Sequence, residues 1–360
     1  MPDTTRISIP DFSLVVLIGP TGCGKSSFAR RHFLETEIVS SDHCRALVSD
    51  DETDLEATSD AFELLHHTAG IRLRRRKLAV IDATSVKRED RAHLVKLART
   101  YHALPVALVL DIDPKICAER NKDRPNRDFG PHVPRNHSKA LKRGIRGLQK
   151  EGFRQVHIMR SPADVDALQI TREALWTDRR QDHGPFDIIG DIHGCFEELT
   201  SLLVNLGYQI DPFEKGAEEL IRARHPEGRI AFFVGDITDR GPRNADCLRL
   251  VMGMCDEGSG RCVMGNHDFK LNKWLKGRPV KLTHGLDLTV TELEQTSDKF
   301  RKQVSEFIFD LRSHFWLDNG NLVIAHAGLK EEMHGRGSGS VRSFAMFGET
   351  TGEIDEIGLP

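Results

Sequence analysis

The sequence contains no Cys-x-x-Cys pair, and its seven cysteines are scattered along 360 residues. That scatter argues against a disulfide framework and against a structural zinc site, and it points to a reducing compartment. No apolar run approaches the roughly 18 residues of a membrane-spanning helix. Residues 1–10 lack the apolar core of a signal peptide. The expected setting is therefore the cytoplasm, with no membrane partner. There is no internal repeat and no low-complexity segment, apart from a short, flexible-looking Gly/Ser loop from Gly335 to Ser340. A net charge of −3 says little, because it averages over unlike regions. The hydrophobic content of 39% and charged content of 29% are those of a globular protein. The length leads to an expectation of two domains, each with its own core.

Charge is concentrated between Arg120 and Arg146, where nine Lys or Arg face two aspartates, Asp123 and Asp128. Such a patch suits a polyanion, and a solvated helix face is the bland alternative. Upstream, Leu14 to Ile18 is a continuous apolar run, the mark of a strand buried on both faces. It leads into Gly19-Pro20-Thr21-Gly22-Cys23-Gly24-Lys25-Ser26, the full P-loop pattern, with an amphipathic helix after it from Ser27 to Phe33. The glycines let main-chain N–H groups wrap a phosphate chain at the positive end of the helix. Gly19, Gly22, Gly24, Lys25, Ser26 and Ser27 are thus the expected ATP-binding residues, with Lys25 on the β- and γ-phosphates and the Ser26 hydroxyl on Mg²⁺.

Further strands are expected at Ile38–Val39, Leu78–Ile81, Val106–Leu110 and Val156–Met159. Helices are expected from Thr58 to Arg76, with Phe62, Leu65, Ala69 and Leu73 on one face, and from Glu89 to His102. This alternation implies an α/β fold, a parallel sheet flanked by helices. Asp42 follows the second strand, where it could take a proton from an acceptor hydroxyl or simply cap a helix. Arg45, three residues on, could hold an acceptor phosphate. Asp82 ends the third strand at a Walker-B-like position. Arg120, Arg124 and Arg127 read as a lid that clamps the transferring phosphoryl group. A small-metabolite or nucleoside monophosphate kinase also pairs a P-loop with such a lid, and that alternative stays open.

The second half carries three short strand-like runs, each ending in polar residues: Phe186–Ile189 before Gly190-Asp191-Ile192-His193-Gly194, Ile230–Val234 before Gly235-Asp236-Ile237-Thr238-Asp239-Arg240-Gly241, and Cys262–Met264 before Gly265-Asn266-His267-Asp268. A fourth run, Leu322 to Ala325, ends in His326. Strand ends that deliver Asp, His, Asn and Arg to one sheet edge describe a two-metal phosphoesterase. The mixed nitrogen and oxygen donors suit Mn²⁺, Ni²⁺ or Co²⁺ better than Ca²⁺. His284, near a strand-like run from Val280 to Leu282, reads as a loop histidine. The polar stretch around Asp178–Gly184 is the expected boundary, giving a kinase domain over 1–178 and a phosphoesterase domain over 184–360.

The P-loop, the Ser-Asp-x-Cys-Arg stretch and the lid Arg-Asn-Lys-Asp-Arg-Pro-Asn-Arg-Asp-Phe-Gly-Pro resemble the kinase module of bacterial polynucleotide kinase-phosphatase, an RNA repair family. The resemblance implies that Asp42 is the general base on a 5′-OH, that Arg45 holds the acceptor strand's phosphate, and that Arg120 and Arg124 contact ATP. The later motifs resemble binuclear, calcineurin-like phosphoesterases. There the resemblance implies one ion on Asp191, His193 and Asp236, and a second on Asp236, Asn266 and His326. Arg240 would orient the phosphate, and His267 would act as general acid steered by Asp239. The whole chain, in this order, resembles polynucleotide kinase-phosphatase. That family continues with a Gly-His-Thr motif, whose His completes the second metal site, and then with a ligase-like module. The implied phosphatase domain is thus incomplete at its C-terminus, and its activity in this chain alone is doubtful.

The expected function is ATP-dependent phosphorylation of 5′-OH RNA ends and removal of 2′,3′-cyclic or terminal phosphates. The expected partners are those RNA ends and a ligase or other repair subunit, and a homo-oligomer is compatible. A small-molecule kinase fused to a protein or dinucleotide phosphatase, or an RNA-binding subunit with an inert phosphatase half, are the alternatives.

Overall fold

The computed structural model of the protein describes residues 5–122, 130–214 and 219–349. The chain divides into two compact units, Met1–Leu175 and Trp176–Pro360.

In the first unit, strands β1 (Arg6–Pro10), β2 (Ser13–Ile18), β3 (Ile38–Ser40), β4 (Ala79–Asp82), β5 (Leu104–Leu110), β6 (Gln155–Met159) and β7 (Gln169–Glu173) form two sheets. The main one is fully parallel in the order β3-β4-β2-β5-β6. Side chains on a strand alternate between faces, and β2 shows the consequence. Leu14, Val16 and Ile18 pack with Leu65, Leu73 and Leu94 from the helices Thr58–Arg74 and Arg88–Thr100. Val15 and Leu17 pack on the other face with Phe28 of the helix Lys25–His32. A strand sandwiched in this way must be apolar throughout, which is why its sequence is a continuous run. The helix expected to reach Arg76 ends at Arg74, and Arg76 has a positive φ of 57°. A second, two-stranded parallel sheet pairs β1 with β7.

The second unit holds β8 (Asp178–Arg179), β9 (Phe186–Ile189), β10 (Gln209–Ile210), β11 (Ala223–Arg224), β12 (Ile230–Phe233), β13 (Gly260–Cys262), β14 (His314–Leu317) and β15 (Leu322–Ala325). One sheet is parallel in the order β13-β12-β9, and another runs β15-β14-β8. Phe232 joins them, edge-on to Phe186 at 5.1 Å and to Phe315 at 5.4 Å. The other face of the parallel sheet meets helices through Phe233, Leu248 and Val251. The division falls before the expected Asp178–Gly184 boundary, because Asp178 and Arg179 pair with Trp316 and Leu317.

Two local expectations fail. Val280–Leu282 is irregular and not a strand: it follows Pro279, and while Val280 packs against the core, Leu282 is exposed. The loop expected from Gly335 to Ser340 is cut short, because the Ser338 hydroxyl accepts from Val341 N and starts the helix Gly339–Phe347.

Two candidate active sites

In a parallel sheet, all strands release their next residues at the same edge. β9, β12 and β13 therefore bring Asp191 with His193, Asp236, and Asn266 with His267 to one place, and β15 adds His326. Backbone bonds knit the first two loops together: Ile192 N and His193 N donate to Asp236 O at 3.1 and 2.9 Å. The hub is Asp236 Oδ2, with the Nε2 atoms of His326, His193 and His267 at 3.6, 3.8 and 4.0 Å. Asp191 lies 3.7 Å from His193 Nε2 and 3.8 Å from His326 Nδ1.

These separations are too long for hydrogen bonds. They match ligand atoms about 3–4 Å apart around one ion, each bonded at about 2.1 Å. The tautomers agree. His193 Nδ1 donates to Thr238 O at 3.0 Å, and His326 Nδ1 donates to Val234 O at 2.9 Å. A carbonyl can only accept, so both rings carry their proton on Nδ1 and offer the Nε2 lone pair inward. Asn266 Oδ1 is buried with no hydrogen-bond partner among the described residues, as a ligand oxygen should be when considered apart from its ion. The donors thus fit a divalent metal pair, which would supply Lewis acidity for attack on phosphorus.

Among the described residues, two groups could each hold an ion: His193, Asp236 and His267, and Asp191, Asp236 and His326. Asp236 is common to both, as in the expected sets. In these groups His267 stands with His193 and Asp191 with His326, and Asp191 also lies 3.7 Å from His193 Nε2, its expected companion. His267 Nδ1 donates to Asp239 Oδ2 at 2.5 Å. That bond holds the imidazole above its ordinary pKa despite partial burial. Asp239 is fully buried and pinned: Thr289 Oγ1 donates to its Oδ1 at 2.6 Å, and its own N–H reaches Asn244 Oδ1 at 2.8 Å. Arg240 is exposed and has no ion pair among the described residues. His193, Asp236, Asp239 and Arg240 have positive φ values of 48°, 48°, 79° and 69°. Left-handed backbone costs a non-glycine residue on the order of 1 kcal/mol or more, and its concentration here marks a functional centre. Gly265 has no such freedom to lose, but a Cβ there would lie 2.1 Å from Asp236 Oδ1.

In the first unit, Lys25 is buried, and its Nζ donates to Gly19 O at 3.0 Å and Pro20 O at 2.9 Å, closing the P-loop. Ser26 and Ser27 follow it in the first turn of the helix. Gly22 has φ 80°, and a Cβ on it would strike Cys117 O at 2.3 Å. Arg120 Nη1 donates to Cys23 O at 3.4 Å, so one of the expected lid arginines touches the loop. Arg124 and Arg127 lie outside the described residues. A cavity of about 290 Å³ beside the loop is lined by Gly22, Gly24, Ser27, Arg120 and Pro162, among others. Asp82 is buried at the end of β4, in register with Ser40. Asp42 is not the helix cap: the Ser40 hydroxyl accepts from His43 N at 3.5 Å, and Asp42 Oδ1 accepts from Arg45 Nη1 at 3.0 Å.

Residues 14–148 match the AAA domain family, and residues 184–351 match the calcineurin-like phosphoesterases. A bis(5'-nucleosyl)-tetraphosphatase PrpE [asymmetrical] of Bacillus subtilis is 42% identical over 179 residues, covering 49% of this chain and 70% of that protein. Its counterpart in Halalkalibacterium halodurans is 38% identical over the same shares of the two chains. The chain belongs to the calcineurin-like phosphoesterase family. Its P-loop kinase-like unit precedes the phosphoesterase unit. A solved structure described as the Pnkp1/Rnl/Hen1 RNA repair complex covers 87% of this chain and 98% of its own, at 15% identity and a TM-score of 0.34.

Within the phosphoesterase unit, sequence reasoning passed over Asp268. It is fully buried, and its carboxylate accepts from Asp236 N, Gly265 N and Ile237 N at 2.9, 2.9 and 3.1 Å. Burial, with Asp236 adding to it, pushes its pKa up to about 6. It ties the second and third metal loops together. Its place in Gly265-Asn266-His267-Asp268 was the available signal, but its inward direction depends on where the helix Asn266–Leu275 begins. Asp268→Ala strands three buried donors, each costing about 1–3 kcal/mol. Urea unfolding should show a loss of about 3 kcal/mol or more.

Proposed function

We propose that this chain heals broken RNA ends. The P-loop unit transfers the γ-phosphate of ATP, with Mg²⁺, to a 5′-hydroxyl. The phosphoesterase unit, with Mn²⁺ or Ni²⁺, removes a 2′,3′-cyclic or terminal phosphate. The observation that carries the kinase half is the placement of Asp42. It is a carboxylate at the carboxyl end of β3, relieved of capping duty by Ser40, with Arg45 beside it. Asp42 is the base, Arg45 the acceptor-phosphate contact, and Lys25, Ser26 and Arg120 the ATP contacts. An enzyme of this kind hands its product to a strand-joining activity.

In the phosphatase half, Asp191, His193, Asp236, Asn266 and His326 hold the ions, Arg240 binds the substrate phosphate and His267 protonates the leaving oxygen. A leaving-group series tests that last role. Asp239→Asn removes the charge that supports the imidazolium, so turnover on alkyl phosphates should fall by about a hundredfold. Turnover on p-nitrophenyl phosphate, whose leaving group needs no proton, should change far less. Equal losses on both esters, with loss of a bound metal, would make His267 a ligand instead.

A second reading is favoured by the PrpE relatives: a phosphoesterase unit that cleaves bis(5′-nucleosyl) tetraphosphates. The full-length chain should be given a 5′-OH oligoribonucleotide with ATP, a 2′,3′-cyclic phosphate oligonucleotide, and diadenosine tetraphosphate. End healing requires turnover of the first two. Turnover of the tetraphosphate alone would overturn it.

A further inference from the structure

A cavity of about 540 Å³ in the first unit lies between the loop after β4 and the helix His132–Gly144, and it shares no lining residue with the P-loop cavity. One of its lining residues, Arg91, is 1% exposed. Arg91 donates from Nε and Nη2 to Glu151 at 2.8 Å each, and from Nη1 to Val86 O at 2.7 Å. That charge is neutralised and held in place. The rim is different. Lys87, Arg88, Arg143 and Lys150 line the cavity, are exposed, and have no ion pair among the described residues. Among the described residues, the one other carboxylate in the lining is Glu89. Four cations gathered around a concave surface with so little compensation repel one another, and a bound polyanion relieves that repulsion.

Both walls of the cavity are tied to the P-loop. Gly19 N donates to Thr84 O at 3.2 Å, three residues before Lys87. Thr21 N donates to His137 Nδ1 at 3.4 Å, on the helix that carries Arg143. His137 and Arg143 are separated by about 9 Å along the helix axis at about 1.5 Å per residue. His137 also feels both sides: burial first, then Lys25 and Lys87, hold its imidazole below the ordinary value. The segments that carry Lys87 and Arg143 are thus each hydrogen-bonded to the phosphate loop.

We propose that this rim binds the phosphodiester backbone of the acceptor strand behind its 5′-terminal nucleotide, with Lys87 and Arg143 as principal contacts. The proposal rests on reading the first unit as a 5′-kinase of polynucleotides. The phosphates of ATP have their own cradle, so these cations serve a second anion. A small acceptor is held by a few placed polar groups in an enclosed pocket. Flexible, exposed Lys and Arg on separate elements instead suit a repeating, solvated backbone, whose phosphates position without specifying sequence.

The test uses the full chain with Lys87→Glu/Arg143→Glu and, as a milder pair, Lys87→Gln/Arg143→Gln. KM is measured for a single-stranded 5′-OH oligoribonucleotide and for ATP across a salt series, with thermal melts as a folding control. The strand KM should rise roughly tenfold or more, and the log–log salt slope should flatten by about 1.4 for two lost contacts on a single strand. KM for ATP should stay within about twofold, and a dinucleotide acceptor should respond far less than the longer strand, because its single phosphodiester is the one assigned to Arg45. If the wild type phosphorylates the oligonucleotide and both variant pairs keep its KM, the rim assignment falls while the kinase reading stands. If the wild type phosphorylates a small hydroxyl compound and no oligonucleotide, both fall. If poly-glutamate binds the wild type as tightly as the oligonucleotide, an acidic protein replaces the strand as the partner.

Discussion

Asp236→Asn is expected to lower metal-dependent phosphatase turnover by about a thousandfold or more while leaving ATP-dependent phosphorylation within about twofold. Asp236 Oδ2 is the atom on which three imidazoles converge, at 3.6–4.0 Å. A carboxylate there can bridge two ions, whereas an amide offers one oxygen and no charge. The substitution is chosen to spare the fold. Asp236 Oδ1 accepts from His267 N at 2.9 Å, and the amide oxygen of Asn can keep that bond. Titration of metal-stripped protein with Mn²⁺, followed calorimetrically, should show wild type taking up two ions and the variant at most one. Because the P-loop, Asp42, Arg45 and Arg120 all lie within Met1–Leu175, phosphorylation serves as an internal control on the same sample. A variant with full phosphatase turnover and unchanged stoichiometry would remove Asp236 from the bridging position.

Both candidate sites were legible because their chemistry is local. Asp191 and His193, or Asp236, Asp239 and Arg240, sit in single loops directly after apolar strands, so strand end and ligand are read together. β2 and β12 announce themselves as short apolar runs for the same reason, being covered on both faces. What escaped is what depends on distant partners. β1 is a short Arg-Ile-Ser-Ile-Pro stretch that becomes a strand only by pairing with residues 169–173. β14 begins with His314, an unpromising core residue. It is fully buried, with its Nε2 accepting from Gly335 N at 2.9 Å and its pKa lowered to about 4 by that burial. Thr289 steers Asp239 across 50 residues of sequence, and no spacing rule reaches that far. The choice between cap and base at Asp42 was also undecidable from sequence, because Ser40, Ser41 and Asp42 can each start a helix.

The structure makes that last choice testable. Asp42→Ala is expected to lower the kinase kcat by about a thousandfold, within the range for loss of a positioned general base, with little change in melting temperature. The stability argument is local. Ser40, not Asp42, supplies the cap oxygen. The partly exposed Asp42–Arg45 pair at 3.0 Å is worth at most about 1 kcal/mol. Asp42→Asn sharpens the case, because an amide oxygen still accepts from Arg45 but takes no proton. A base predicts that Asn is as inactive as Ala, and a positioning residue predicts that Asn is partly active. Arg45 has a different signature. Its Nη1 is already held by Asp42 and by Glu52 O at 2.9 Å, and its buried Nε has no partner among the described residues. Arg45→Ala should therefore raise KM for the acceptor strand more than KM for ATP. Ser40→Ala completes the set in the opposite sense, losing about 1 kcal/mol of stability at nearly unchanged kcat. If Asp42→Ala instead lost stability and kept its turnover, Asp42 would be a structural residue and the proton acceptor would lie elsewhere, with buried Asp82 at the end of β4 the next to test.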